Sequence, residues 1–347
     1  MSSEIIKTFE GVEFHAIDLS RKPKAVRFFH SLFSSSPAIT ERFWKSESLL
    51  PDLIRQFGIQ ESDSPLIFYE DIPAGWLMKS LKPEFPSATH IMRSHNVVVK
   101  GFEGLTRTGN IFKRWAWRLE LNKIFNFEKE IFDLADQFYA ISEDDAKWNR
   151  QRMQIIPDGI IGCYLDQDFF QTIPMSGSEL NLVYLGSADL RKGQALRRFI
   201  QECWPLVRQS IPDAGLILGG LGTETCHDPS NGITGLGFVD SSSEVLQKGR
   251  IFINPQQVGA GIKIKSLIAL ASSRLLISTP VGVEGTGLKD GIHCVVAENF
   301  DEMAEKIIRY LRNPEEQLRI ADQGKNFIES EFSRVKFFKS MENYFPH

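Results

Sequence analysis

The sequence predicts an α/β protein of two parallel-sheet domains facing each other across a cleft. At 347 residues the chain is longer than one hydrophobic core comfortably fills, since domains run to roughly 100–200 residues. Strand-length apolar runs alternate with stretches of helical periodicity, the pattern of a parallel sheet covered by helices. The runs themselves, such as "LNLVYL" and "RIFIN", are apolar without alternation, as strands buried on both faces must be.

In chain order, "VEFHAID" (12–18), "SPLIFYED" (64–71), "ATHIMRSHN" (88–96) and "QFYAISE" (137–143) read as strands, with "MQIIPDG" (153–159) a short fifth. The longest helical pattern between them spans about 110–135. A stretch with Pro, Gly and Ser, "DQDFFQTIPMSGSE" (166–179), fits a hinge. Beyond it "LNLVYLGS" (180–187) is a strand stopped by glycine. In "QALRRFIQECWPLVRQS", Leu196, Phe199, Ile200, Cys203 and Val207 recur at helical spacing. The theme then repeats: strand "AGLILGG", a loop, "GITGLGFV", short helix "SSEVLQKG" and strand "RIFINP". A glycine-flanked loop leads into another helix and the strand "LLIS". Two amphipathic helices follow, the second opened by Asn313 as N-cap and Pro314 at the first helical position. The expected boundaries are 1–172, 173–330 and a terminal helix over 331–347.

Composition excludes several classes. A net charge of −4 gives the molecule no electrostatic reason to seek nucleic acid. The longest apolar runs fall far short of the roughly 20 residues of a membrane span, and "MSSEIIKTFEGVEF" lacks the apolar core of a secretory signal. The four cysteines (163, 203, 226, 294) form no C-x-x-C pair, and the seven histidines no H-x-x-x-H, so neither a disulfide framework nor a metal site is expected. A cytoplasmic, metal-free protein is the expectation.

Binding chemistry concentrates after the strand "RIFINP". Gly259 and Gly261 let backbone approach a ligand closely, the next helix start presents unpaired N–H groups, and Lys263 and Lys265 add charge. The same residues are also what a plain strand-to-helix turn needs. "GSADLRKG" (186–193) places Gly186, Arg191 and Lys192 after another strand of the same domain, where their cations can converge with the first loop on a diphosphate. "LGGLGTET" tempts a dinucleotide reading but lacks the third glycine and the helix directly after it. In the N-terminal half, "MRSHN" sets Arg93, His95 and Asn96 at a strand end, with Glu70 and Asp71 at another. His95 can serve proton transfer or rest as a satisfied structural residue, and Glu70 or Asp71 can orient a hydroxyl or cap a helix. Between Arg93 and Lys129, eight Lys or Arg stand against three Glu, interleaved with Phe112, Trp115, Trp117, Phe125 and Phe127. Such a segment is either core with a basic flank or a surface for anionic lipid.

With these residues in place the chain resembles the retaining glycosyltransferases of the GT-B fold, two Rossmann-like parallel-sheet domains facing across a cleft. It is most similar to the group 1, family-four enzymes of bacterial surface polysaccharides. The resemblance rests on "LVYLGSADLRKG", on "GFVDSSSEVLQKGRIFINPQQVGAGIKIKSLIALASSRLLISTPVGVEG" and on "GIHCVVAENF" with the helices after it; "RSHN" and "YAISEDDAKWNRQRMQIIPDGI" extend it, over roughly residues 65–345. It implies a nucleotide-sugar, UDP- or GDP-linked, held by the C-terminal domain without metal. A saccharide or lipid-linked acceptor would then be held by Asp71, Arg93, His95 and Asn96. It further implies that Lys192 with Lys263 or Lys265 grips the diphosphate, that Gly259–Ala260–Gly261 and Ile262 hold the donor sugar, and that His95 meets it. The base would lie near Phe238 and Val239, and the last helix would cross back to the N-terminal domain. Contact through residues 93–129 would place the protein at the inner face of the membrane.

Three departures bear on activity. Of the family's two glutamates eight positions apart, the first reads Ala260 and the second, the ribose ligand, reads Ile268. The small-x-Gly-x-Pro run after the helix becomes "ASSRLLIS". The family's first strand and glycine-rich loop find no match in the sequence, and the expectation is a chain that begins one strand-helix unit late. A hydrogen bond to a charged partner contributes about 1.5–3 kcal/mol, so losing the ribose carboxylate weakens donor binding without abolishing it. Two readings follow: an active glycosyltransferase, of hexosyltransferase type, with a variant donor site, or a catalytically silent relative serving as a binding or scaffolding subunit.

Overall fold

The computed structural model describes residues 34–43, 50–56, 64–107, 110–171, 173–189 and 193–345. The strand expected at 12–18 lies outside them. The described residues form two compact units. One holds residues up to Tyr139 together with Met153–Asp158; the other holds Ala140–Arg152 and residues from Gly159 on.

The first sheet runs β1-β2-β3-β4, with β1 Leu66–Glu70, β2 Thr89–Arg93, β3 Gln137–Ala140 and β4 Gly159–Ile160. β1, β2 and β3 pair in parallel, Glu70 level with Arg93 and Arg93 with Tyr139. Around it lie α1 (Leu50–Gln56), α2 (Met78–Glu84), α3 (Val98–Glu103) and the long α4 (Ile111–Leu134). Ile72, Met78, Leu81, Ile91, Met92, Ile124 and Ile131 are fully buried and make its core. Gly75 sits so close beneath Ile131 and Met92 that a side chain there would strike them. Glu128 of α4 is buried and accepts the Val98 and Val99 N–H groups at 2.8 and 3.0 Å, capping α3 from a neighbouring helix.

The strand expected at 153–159 is corrected. After α5 (Glu143–Trp148) the helix widens into a π-turn over Asn149–Met153, and pairing begins only at Gly159.

The second unit is built on six strands: β5 Asn181–Leu185, β6 Gly215–Gly219, β7 Ile233–Gly235, β8 Ile251–Asn254, β9 Leu275–Ser278 and β10 Val295–Val296. Their order is β10-β9-β8-β5-β6-β7, and every pairing is parallel. The chain winds outward from β5 through β6 to β7, then returns to β8 and winds the other way. That doubly wound order opens a crevice at the carboxyl ends of the two central strands, β5 and β8. Successive residues of each strand feed opposite cores: Leu182 and Tyr184 pack with the helices at 196–207 and 300–321, whereas Val183 and Phe252 pack with Leu267, Leu270 and Ile328. This two-sided burial is why the strands read as unbroken apolar runs.

The helix expected over 194–210 comprises α6 (Gln194–Arg198), a π-turn at Phe199–Cys203 and α7 (Trp204–Ser210). Pro205 has no N–H to donate back into the preceding turn, and the ladder shifts there. α8 is Ser243–Leu246, α9 Ile264–Ala271, α10 Phe300–Arg312, α11 Pro314–Glu331 and α12 Arg334–Glu342. Asn313 caps α11, its side chain accepting the Glu316 N–H at 3.2 Å. α12 packs on the segment after β4, with Phe337 against Tyr164 and the Tyr344 hydroxyl accepting the Ile160 N–H at 3.1 Å.

Candidate functional site

The loop from Pro255 to Lys263 leaves β8 at the switch point and delivers the chain into α9. Gly259 and Gly261 have φ of 144° and 74°, conformations open to glycine and costly for other residues. Lys263 caps α9 in extended geometry, with no side chain closing the helix start. The first N–H groups of α9 and its positive dipole end therefore meet whatever occupies the crevice.

The two lysines, two positions apart, have different surroundings. Lys263 is buried, its Nζ donating to the Gly261 carbonyl at 2.5 Å and lying 3.8 Å from the Glu284 carboxylate. Lys265 lies over the ring of buried Tyr184, 5.0 Å from its centroid. Burial first, and then the charge of Lys263, push the Lys265 pKa down to about 8. A desolvated ammonium beside a second one is a site short of negative charge, which a diphosphate would supply.

Glu284 is held by its own turn. Gly285 (φ 73°) follows it, and the Gly285 N–H donates to Asp144 at 3.0 Å. Gly282 lies against Ser278 and Asn254 with no room for a side chain, and the Ser266 hydroxyl donates to the Gly282 carbonyl at 2.8 Å. Glu284 and Tyr184 are functional candidates the sequence reading did not single out. The signal for Glu284, a lone acid between glycines in "VGVEG", becomes specific only once its distance to Lys263 is known.

Across the carboxyl edge, Gly186 ends β5 with φ 155° and donates its N–H to the Gly219 carbonyl at 2.9 Å. The Gly220 N–H in turn donates to the Gly237 carbonyl at 2.7 Å. These close approaches keep three strand ends flush. Phe238, after β7, is 73% exposed, a bare aromatic face at the edge, whereas Val239 turns inward onto the second core. Ile262 is also partly buried on that core, and Ala260 is half-buried in the loop. Arg191 and Lys192 lie outside the described residues.

Ile264, Leu267, Ile268 and Ala271 recur at i, i+3, i+4 and i+7 and would make one core-facing stripe on α9; Leu267 and Ala271 are buried and Ile268 is packed on the core, but Ile264 is exposed. Ile268 thus serves packing. In the altered run, Ser273 takes φ 57°, the left-handed position where a helix end favours glycine. Arg274 is buried and donates to the Leu246, Ser272 and Ile173 carbonyls at 2.7–2.9 Å.

In the first unit, Glu70 at the end of β1 accepts from Arg93 Nη1 at 2.8 Å and from His95 Nε2 at 2.6 Å. Burial works to raise the Glu70 pKa, but the His95 hydrogen bond and the Arg93 charge outweigh it and hold it below the usual range. An ionised Glu70 can only accept, so the His95 ring donates to it through Nε2. Asp71 accepts its neighbour Ile72's N–H at 2.9 Å, with φ 76°, a capping role bought at backbone strain. Asn96 is half-buried two residues beyond Ser94. Among the described residues no group of three His, Cys, Asp or Glu side chains stands ready to hold a metal.

Residues 179–313 match the family model of glycosyl transferases group 1. A 44.6 kDa protein of the cps region of Klebsiella pneumoniae, itself uncharacterized, is 25% identical over 271 residues, covering 72% of this chain and 67% of the relative. Sucrose-phosphate synthase of Thermosynechococcus elongatus superposes with a TM-score of 0.69 at 16% identity, over 88% of this chain and 78% of that one. TarM does so at 0.68 and 12%, over 87% and 58%. HepE of Anabaena, solved with UDP and glucose, does so at 0.60 and 12%, over 80% and 77%. These structural likenesses show the fold, GT-B.

Proposed function

We propose that this chain, which has the GT-B fold and carries a glycosyl transferases group 1 domain over residues 179–313, transfers a sugar from a nucleotide-sugar donor to a saccharide. The observation that carries the reading is the pair Lys263 and Lys265 at the switch-point loop before a helix start that no side chain closes, the second ammonium pushed down to a pKa of about 8 by burial and then by the charge of Lys263. In the reaction the bond from the anomeric carbon to the diphosphate breaks as the acceptor oxygen bonds to that carbon, and the acceptor hydroxyl's proton passes to the departing diphosphate. Negative charge then grows on the leaving oxygen, and two fixed cations beside a helix start offset it. The Gly259–Gly261 backbone takes the sugar and the exposed Phe238 face the base.

The finer reading is retention of anomeric configuration, no metal, a UDP- or GDP-linked donor, and a polysaccharide or lipid-linked acceptor at the inner face of the membrane. Arg191 and Lys192 would add to the diphosphate grip, and Arg93, His95 and Asn96 would meet the acceptor. HepE, solved with UDP, and the Klebsiella relative from a cps region support the donor and the polysaccharide setting. The second reading, a silent subunit beside an active enzyme, is favoured by Ile268, which gives its side chain to the core.

Calorimetric titration with UDP and GDP, followed by a donor-hydrolysis assay, separates the two. Binding of one nucleotide with slow hydrolysis of its sugar conjugate supports transfer. Absence of binding up to millimolar concentration sinks it.

A further inference from the structure

α4 is two different helices joined end to end. From Ile124 on, Ile124, Phe127, Ile131 and Phe132 are buried in the first unit's core. Its first nine residues instead expose their large apolar groups: Ile111 is 76% exposed, Phe112 78%, Trp115 57% and Leu119 41%. At about 100° per residue these four fall within one arc of roughly 100°. Arg118 and Arg114, both exposed, border the arc on one side, and Lys123 borders it on the other. Residues 111–119 contain no acid, and Glu120 turns the opposite way, buried against the Ala38 N–H. Trp117, off the arc, packs on Phe102, 5.8 Å between ring centroids, so the exposed face is not a consequence of a loose helix.

A contiguous face of two aromatics and two aliphatics is costly to leave in water. What it fits is set by its borders. A protein partner's apolar groove needs no rim of cations, whereas a bilayer interface with anionic headgroups does: aromatic and aliphatic tips enter the headgroup boundary, and arginines stay level with the phosphates. Among the described residues no helix is long and apolar enough to cross a membrane, so the contact would lie flat on one leaflet.

We propose that residues 111–119 form a membrane-docking surface that seats this protein on anionic phospholipid. Ile111, Phe112, Trp115 and Leu119 enter the interface, and Arg114 and Arg118 bind headgroup phosphate. This deepens the membrane side of the function proposed above, yet it rests on the helix and not on the donor site.

The test is flotation of the full chain with vesicles of phosphatidylcholine alone or with phosphatidylglycerol, at low and high salt. Wild type should float with the anionic vesicles, less so at high salt. Phe112→Ser with Trp115→Ser should reduce partitioning on the order of tenfold, and Arg114→Glu with Arg118→Glu should abolish the preference for anionic lipid while leaving the apolar groups intact. Nucleotide titration and melting temperature should be unchanged in both variants. Wild type that floats with neither vesicle overturns the proposal, as do serine variants that still float. A serine variant that melts several degrees lower, or a wild-type dimer that the variant dissociates, also overturns it, by showing that protein covers this face. Vesicle binding without nucleotide binding would keep the docking surface and remove the transferase reading.

Discussion

Lys263 and Lys265 show how little two positions of sequence say about a side chain's charge environment. Both were legible as cations at a helix start, and neither the carboxylate beside one nor the aromatic ring under the other could be read, because both partners come from distant strand ends. The difference predicts pH behaviour. With its folded pKa held near 8 against an ordinary 10.5, Lys265 binds a proton more readily in the unfolded chain throughout that interval. Stability contributed by this site therefore rises as pH climbs from about 8 toward 10.5, and below 8 the burial penalty is constant. A bound diphosphate favours the charged form, so nucleotide affinity should fall as pH rises through 8, with proton uptake on binding near that pH. Calorimetry in buffers of different ionisation enthalpy would detect the uptake, and Lys265→Met should erase it. Glu284→Gln makes a separate prediction: with Lys263 losing the carboxylate 3.8 Å away, unfolding in urea should show a loss of roughly 1–3 kcal/mol. A variant as stable as wild type would mean Glu284 contributes no counter-charge.

Elements were legible where burial is two-sided or strictly periodic. β5, β8 and β9, α10 and α11 with its Asn313 cap are where an apolar run or a 3.6-residue stripe has one interpretation. The failures share a cause: local pattern was overridden by a neighbour. "MQIIPDG" has strand composition, but its first residue finishes a π-turn and pairing waits until Gly159. Short β10 was not identified, its two residues carrying no period of their own. The spacing of α9 reads as one core-facing stripe, yet Ile264 is exposed and Ser266 and Ala269 are buried, because the helix is enclosed on more than one side. Its end carries a testable strain. Ser273 at φ 57° occupies a position suited to glycine, so Ser273→Gly should stabilise by about 0.5–1 kcal/mol in thermal or urea unfolding, the strain relieved exceeding the added freedom of the unfolded chain. No gain would mean that Ser273 makes a compensating contact.

At the scale of the molecule, the doubly wound order of the second sheet was implied by strand-helix alternation but not fixed by it, since alternation is compatible with several strand orders. The order matters because it brings the loops after β5 and β8 to one crevice; a sequence can nominate both loops but cannot make them neighbours. The division into units then confines the donor chemistry. His95 apart, every described residue nominated for the diphosphate, sugar and base belongs to the second unit, and the Glu70, Arg93 and His95 cluster to the first. A nucleoside diphosphate should therefore act on one unit's exchange behaviour. At a hundredfold excess over its dissociation constant a ligand stabilises the state that binds it by about 2.7 kcal/mol, enough to slow amide exchange wherever opening must break the site. With UDP or GDP present, protection should rise in residues 255–271, at the turn around Glu284 and at the ends of β5 and β7, while β1, β2 and α4 exchange as before. Protection centred on residues 70–96 instead would move the nucleotide to the first unit and leave Lys265 a half-buried lysine whose lowered pKa serves no ligand.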